Sequence, residues 1–432
     1  MATGDWTVDS NEALVLSLVR AQEDQQVLAD EESFEGFHPT FTYPIYGQDE
    51  KIYGYRDLVI DLRFASGSLS QFLSVRHGEK LAASSTVDDV EGTLKDFVPP
   101  GYDKNEEAFL ARVEEDAKSF VPIGRHIHSY QRPAPGTVTP TGDDASQDKI
   151  DYEVYHATFD DAGFREYHRR MQIFILLYIE AGSYINEEEE DGWEFTVLYE
   201  KRKRRGGITT YHFIGYSSLY NFYSFPEKVR LRLSQFVILP PYQRQGHGSE
   251  LYTATYNYVL SRPNISELTV EDPAEAFEDL RDRNDLRMLL AHEQFMQEGF
   301  GGNSVLASHG GGRVQKSKTR ARAAPVGVSS GSNKGKGKMG PPVDKAWAEK
   351  WRKDLKIASR QFHRLVEMLI LLHLDPTDIR SARAFRLQVK ERLYRFNFEV
   401  LAQLEKEERL EKLEETFQSV QEDYKRILAT VR

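Results

Sequence analysis

Residues Leu231–Ser249, LRLSQFVILPPYQRQGHGS, impose a strand, a stop, a loop and a helix start in fixed order. Leu231–Leu239 is a short apolar run with β-branched members, the pattern of a buried strand. Pro240 and Pro241 end it, because proline cannot donate to a sheet ladder. Gln243-Arg244-Gln245-Gly246-His247-Gly248 then leads into an amphipathic helix from about Ser249 to Ser261. Two glycines let the backbone approach a ligand and turn its N–H groups inward. The helix behind them adds unpaired N–H groups and the positive end of its dipole. Strand, glycine loop and helix start together make a receptor for a diphosphate. The same pattern also serves as a plain strand–loop–helix turn. It is neither Gly-x-Gly-x-x-Gly nor the Gly-Lys-Ser/Thr of a nucleotide triphosphate loop.

The flanking chain alternates between periods. Asn11–Ala21 is predicted as an amphipathic helix, with Leu14, Leu18 and Val19 on one face. Phe34–Tyr55, aromatic-rich and interrupted by Pro39, Pro44 and Gly47, reads as short strands and turns. Asp57–Ala65 and Leu69–Val75 read as strands, and Asp88–Phe97 and Asn105–Phe120 as helices. Residues 130–148, rich in Pro, Gly, Thr and Asp, read as a loop, and Asp151–Thr158 as a strand. Gly163–Ser183 is predicted as one helix, apolar nearly all round over Met171–Ile179 and therefore buried, with Glu180 at its end. Trp193–Glu200 and Ile208–Leu219 form a hairpin through the basic turn Lys201–Gly207. Ile265–Val270 is a further strand and Ala274–Asn284 a short helix.

This order implies an α+β fold around a mixed, mostly antiparallel sheet. Residues 301–345 carry nine Lys or Arg against one acid, with ten glycines, and cannot bury enough surface to repay ordering. They are predicted as a basic, disordered linker, with clusters at Lys316–Arg322 and Lys334–Lys338. Trp347–Leu374 and Ser381–Ala429 read as helices. The expected division is an N-terminal α+β domain (1–145), a core (146–300), the linker (301–345) and a C-terminal helical domain (346–432).

Composition narrows the function classes. The formal net charge of −12 argues against a general nucleic-acid binder and favours basic partners. The chain has no cysteine, which removes disulfides and a thiol acyl-enzyme intermediate. No apolar stretch reaches membrane-spanning length, and a signal-peptide pattern is not seen at Met1 onward, so a cytosolic or nuclear protein is expected.

The loop resembles the Arg/Gln-x-x-Gly-x-Gly/Ala segment with which GNAT acetyltransferases hold the diphosphate of acetyl-CoA. With that cosubstrate, the acceptor is most often an amine. A lysine ammonium, with a pKa of about 10.4, has no lone pair, so a base must take its proton. Glu271, at the end of the strand after the loop helix, is placed for that, or else is a turn carboxylate. Asp272 reads first as an N-cap, since Asp272-Pro273-Ala274-Glu275 is a capping-box-like pattern. Glu180 suits a base if it is poorly solvated. His247 contributes through its backbone rather than its ring. Gln48-Asp49-Glu50 and Glu187–Asp191 are acidic runs, and Tyr220-Asn221-Phe222-Tyr223 is an aromatic segment. A basic, glycine-rich peptide can lie across such aromatic faces with acids nearby, although each run alone fits a solvated loop or a core.

Four segments together resemble the catalytic subunit of type B histone acetyltransferase: DDVEGTLKDFVPPGY (88–102), GFREYHRRMQIFILLYIEAGSYI (163–185), SQFVILPPYQRQGHGSELY (234–252) and EDPAEAFEDLRDRND (271–285). The resemblance spans about residues 8–300. It implies a GNAT core, transfer of acetyl from acetyl-CoA to tail lysines of newly made histone H4, and a WD40 histone-binding partner subunit. Carried over by position, it implies Glu271 as general base with Glu180 and Asp272 as supporting acids. It implies cofactor contacts from Phe236, Val237 and Ile238, from Gln243, Arg244, Gln245, Gly246, His247, Gly248 and Ser249, and from Arg283. It implies histone-tail contacts from Gln48, Asp49 and Glu50, from Trp193, and from Tyr220, Asn221 and Phe222. Ala274 departs from the pattern, standing where some relatives carry a polar residue. A histone-binding escort with little catalysis is the alternative from another class, and a GNAT enzyme acting on a small amine is a third.

Overall fold

The computed structural model describes residues 6–30, 32–82, 86–135, 149–186, 192–204, 206–301 and 337–431, and divides into two compact units, Met1–Asp272 and Pro273–Arg432.

The first unit holds two main sheets. β1 (Leu14–Val19) runs parallel to β2 (Val59–Ala65), which pairs antiparallel with β3 (Gln71–Arg76). The helix expected over 11–21 is corrected here: only Ser10–Ala13 is helical, and β1 follows directly. Leu14, Leu16 and Leu18 are all buried at alternate positions. An apolar run this short suits a buried strand and a buried helix equally by periodicity, and pairing with β2 decides between them. α1 (Glu106–Ser119) covers this sheet, with Phe109 5.5 Å from Phe72 of β3 between ring centroids.

The second sheet comprises β4 (Arg125–Pro133), β5 (Lys149–Thr158), β6 (Trp193–Lys203), β7 (Thr209–Ser224), β8 (Lys228–Ile238) and β9 (Ile265–Val270). Its order is β9-β8-β7-β6-β5-β4, antiparallel throughout except for the parallel β8–β9 pair. This is the mixed, mostly antiparallel sheet that the sequence implies. β4 takes in residues 130–133, so the loop expected from 130 begins later; residues 136–148 lie outside the described residues.

Between β5 and β6 stand α2 (Phe164–Met171) and α3 (Ile173–Tyr178), joined at Gln172. The single helix expected over 163–183 is thus broken and ends early, leaving Glu180 on the turn beyond it. Ile173–Leu177 are all buried, so packing on every side, rather than the helical ladder alone, sets the path. Phe174 touches Phe64 of β2 at 4.8 Å and Phe213 of β7 at 5.8 Å, which joins both sheets into one core. α4 (His247–Ser261) follows β8.

The second unit is helical: α5 (Glu275–Ala291), α6 (Glu293–Phe300), α7 (Lys345–Asp354), α8 (Ser359–His373), α9 (Ile379–Phe396) and α10 (Lys406–Val431). α5 and α6, expected to belong to the core up to residue 300, pack with the C-terminal helices. Phe295 stacks on Trp347 at 5.2 Å, and the indole N–H groups of Trp347 and Trp351 donate to Glu298 at 2.8 and 2.9 Å. Arg364 donates to Asp282 and Asp423, tying α5, α8 and α10. Most of the expected linker, 302–336, lies outside the described residues. Its last part, Gly337–Asp344, is ordered: Lys338 and Met339 N–H groups bond to Glu298 and Gly299 carbonyls, and Met339 is buried over Gly299.

Candidate active site

A defect in β8 opens the site. β8 pairs with β7 along its length, but the register shifts between Ser218 and Leu219, leaving Ser234 as an extra residue. That is a β-bulge, which bends a strand and ends pairing on its far side. β9 follows β8 only as far as Leu233↔Val270, and Glu271 N–H makes the last tie, to Leu233 O at 3.0 Å. Beyond it β8 continues to Ile238 beside β7, with its other edge left by β9. Ser234 Oγ is buried with no hydrogen-bond partner among the described residues. Gln235, next along, donates to Ser183 O at 2.8 Å, which draws the turn after α3 to the bulge. Glu180 on that turn is exposed, so the poor solvation that would suit it as a base is not found.

The loop after β8 is shaped by its own side chains. Pro240–Tyr242 form one 3₁₀ turn. Gln243 Nε2 donates to Ile238 O at 2.8 Å and Gln245 Nε2 to Pro241 O at 2.9 Å, so both amides serve the loop itself. Arg244 takes φ +61° and Gly246 φ +82°, and α4 starts at His247. Residues 243–246 are exposed, and the first-turn amides of α4 open beside them.

Two buried layers hold the loop. Beneath its start, Tyr242 OH accepts from Arg20 at 2.8 Å and donates to Glu200 at 3.0 Å, while Arg20 and Glu200 form a bidentate pair at 3.1 and 2.7 Å. Burial works against the charge on Glu200, but Arg20 and Arg202 prevail and hold its carboxyl far below the usual range. Beneath its end, His247 is buried against Tyr152, 4.7 Å between centroids, with Nδ1 2.6 Å from Tyr130 OH. Burial, aided by the Arg132 charge, pulls this imidazole down to about 4, so its ring is neutral at pH 7 and structural.

Four strands lay a row of side chains beside this opening. Trp193, Tyr220, Arg232 and Thr269 are successive cross-strand partners from β6 to β9, so they share one face, with Phe222 and Glu271 two residues further along. Trp193 meets Tyr220 at 4.8 Å, Tyr220 meets Phe222 at 4.7 Å, and the Arg232 guanidinium lies 4.3 Å from the Phe222 centroid. Arg232 Nε is 3.2 Å from Glu271 Oε2, an ion contact whose angle falls short of a hydrogen bond. The Glu271 side chain keeps 41% of its exposure. Arg232 was not among the residues expected; the alternation of Leu231, Arg232 and Leu233 is the signal that could have found it.

The remaining expected residues part company. Asn221 points to the opposite face and donates to Glu194 at 2.6 Å. Burial opposes ionisation of Glu194, but hydrogen bonds from His156, Tyr258 and Asn221 hold it at about 2. Gln48 and Asp49 are exposed, whereas Glu50 accepts from Thr42 N, Tyr43 N and Asn11 Nδ2 at 2.7, 3.1 and 2.9 Å and is engaged locally. Asp272 is exposed at φ +30° and is not the expected cap, since Ala274 occupies the N-cap of α5 without a side-chain bond. Pro273 and Ala274 are both non-helical, which moves the helix start two residues on. Arg283 belongs to the second unit, where its Nε donates to Asp279 O at 3.0 Å. The acidic run Glu187–Asp191 lies outside the described residues.

The described geometry is that of a bulged strand, an amide-lined loop and a carboxylate at the strand end. Residues 6–180 match the family model described as the histone acetyl transferase HAT1 N-terminus, and residues 329–375 match that of fungal HAT1, C-terminal. The histone acetyltransferase type B catalytic subunit of Cryptococcus neoformans var. neoformans serotype D is 49% identical, over 98% of this chain and 97% of its own. The chain belongs to that family. The subunit so named from Mycosarcoma maydis is 43% identical over 90% of this chain and 82% of its own, and that from Candida albicans 32% over 99% and 91%.

A member of this acetyltransferase family takes acetyl-CoA as cosubstrate. The loop fits one: Gly246 is a cradle that a Cβ would fill, since that atom would lie 2.9 Å from the Arg132 guanidinium, and Ser234 Oγ is an orphaned buried polar atom at the bulge. Among the described residues, no group of three or more acidic or imidazole side chains is placed to hold a metal ion, and no helix is long and apolar enough to cross a membrane.

Proposed function

We propose that the chain acetylates lysines in the N-terminal tail of free, newly made histone H4, by direct attack within a ternary complex. Acetyl-CoA supplies the acetyl group as a thioester. The amides of Gln243–Ser249 grip its diphosphate, and the edge of β8 from Phe236 to Ile238 takes the arm. Glu271 accepts a proton from the lysine ammonium; the freed amine forms its C–N bond at the thioester carbonyl, and the C–S bond breaks with the sulfur regaining a proton. The observation that carries this reading is the position of Glu271, one residue past the last β8–β9 pairing, on the face that bears Trp193, Tyr220, Arg232 and Phe222. Asp272 and Glu180, both exposed near the two sides of the bulge, add negative charge for a basic tail. Gln48, Asp49, Trp193, Tyr220 and Phe222 remain the tail contacts; Asn221 and Glu50 act through local structure. The family resemblance extends the reading to a WD40 histone-binding subunit as partner and to cytoplasm and nucleus as its location.

The test is direct. The full chain is incubated with acetyl-CoA and free core histones, and acetylated sites are read by mass spectrometry. Modification concentrated on the H4 tail is expected. Modification spread evenly over all histones, or none, would overturn the substrate assignment.

A further inference from the structure

Strand β4 forms the sheet edge opposite β9, and nothing in its sequence marks it as part of a cosubstrate site. Yet three of its alternate side chains, His128, Tyr130 and Arg132, reach the first turn of α4. His128 Nε2 lies 3.3 Å from Glu250 Oε2, Tyr130 OH 2.6 Å from His247 Nδ1, and Arg132 Nη2 3.5 Å from Glu250 Oε1. Arg132 comes closest to the loop. A Cβ placed on Gly246 would stand 2.9 Å from its Nη2, 3.1 Å from Nη1 and 3.3 Å from Cζ, so any other residue there would push the guanidinium aside. The same glycine, at φ +82°, caps α4. The guanidinium is therefore seated beside the amides that open the helix.

Its present partners leave it underused. Arg132 Nε is buried without a hydrogen-bond partner among the described residues, and the bond to Glu250 is at the long limit. Tyr130 lies 5.3 Å beneath the guanidinium and fixes its plane, and the side chain keeps 32% of its exposure toward solvent. A planar fork that keeps part of its surface open and holds one carboxylate contact only at the long limit, oriented by an aromatic face at a helix N-terminus, matches a phosphate oxygen pair. We infer that Arg132 is a phosphate-binding residue of the cosubstrate site, engaging the diphosphate of acetyl-CoA alongside the loop amides. This rests on the reading that the loop holds acetyl-CoA.

The test measures binding by calorimetry in the full chain, for wild type, Arg132→Gln and Arg132→Lys, with CoA, dephospho-CoA and pantetheine, and with melting curves as the folding control. Arg132→Gln is expected to weaken CoA and dephospho-CoA about 10- to 100-fold, as loss of a charged hydrogen bond does, and to leave pantetheine unchanged, with Arg132→Lys between. The slope of log Kd against log salt should flatten for CoA in the Gln variant. Unchanged CoA affinity in Arg132→Gln would overturn the role of Arg132 alone, provided wild type still prefers CoA to pantetheine. A loss confined to CoA and absent for dephospho-CoA would overturn the diphosphate assignment in favour of the adenosine phosphate. Wild type showing no preference for CoA over pantetheine would instead bring down the loop reading itself.

Discussion

Arg232 is the residue at which the two halves of the proposed site meet. It lies over Phe222, an expected tail contact, and beside Glu271, the expected base. An exposed ion pair contributes about 0–1 kcal/mol and an exposed cation–π contact about 0.5–1 kcal/mol. Removing both loosens Glu271 without touching the loop. Arg232→Gln is therefore expected to lower kcat about tenfold, the equivalent of about 1.4 kcal/mol, while the KM for acetyl-CoA stays put. Steady-state kinetics with both substrates varied checks this; a change in acetyl-CoA KM alone would contradict it. At this scale the sequence carried much. The strand–loop–helix order, the place of Glu271 at a strand end and the aromatic run around Tyr220 were legible from pattern and family resemblance together. Glu50 and Asn221 were not, because a charged or amide side chain reads the same in sequence whether it faces solvent or satisfies amides and carboxylates nearby.

Among the elements, the bulge at Ser234 and the loop it feeds do the shaping. Gly246 combines a left-handed backbone with the near approach of Arg132. A left-handed non-glycine residue costs about 1–2 kcal/mol, and an added methyl also displaces the guanidinium. Gly246→Ala is expected to raise the KM for acetyl-CoA at least about fivefold, with kcat at saturation little changed. An unaltered KM would show that neither the turn nor Arg132 shapes the cosubstrate site. Element legibility followed packing. Helices α1 and α4 follow their periodicity, because each keeps exposed positions on one face, whereas the β6–β7 hairpin, buried through the middle of both strands, is marked in the sequence by its basic, glycine-bearing turn. β1 and α3 do not follow theirs, because a segment buried on nearly all sides loses the alternation that distinguishes strand from helix. β4 was hidden by its polar composition, as an edge strand's outer groups and side chains need no apolar pattern.

The whole molecule binds protons differently folded and unfolded, and that sets its pH response. His247 and His212 are buried and held neutral, at about 4 and about 3 against 6.5 for a free imidazole, chiefly by burial and then by Arg132 and Arg20 respectively. On unfolding they take up protons below about pH 6.5, so stability rises with pH across the window from about 4 to 6.5 and is progressively lost on acidification. Glu194, at about 2, adds a loss below its free value of 4.5. Melting temperature against pH should fall from pH 7 to pH 5, and less steeply in His247→Gln; parallel slopes would contradict the assignment. The division at Asp272/Pro273 was not legible, since Phe295 and Glu298 reveal their tryptophan partners at 347 and 351 only in the folded unit.

At this same scale, the proposed mechanism puts cosubstrate grip and proton acceptance in separate features of one compact unit, one in the Gln243–Ser249 loop and the other at the end of β9. Glu271→Gln measured in the intact chain tests that separation most directly, by calorimetry with acetyl-CoA and by turnover on the H4 tail peptide. Unchanged acetyl-CoA affinity with turnover reduced about 10²-fold or more is the predicted result, the usual contribution of a general base. Turnover matching wild type across the pH range would contradict it and remove Glu271 from that role.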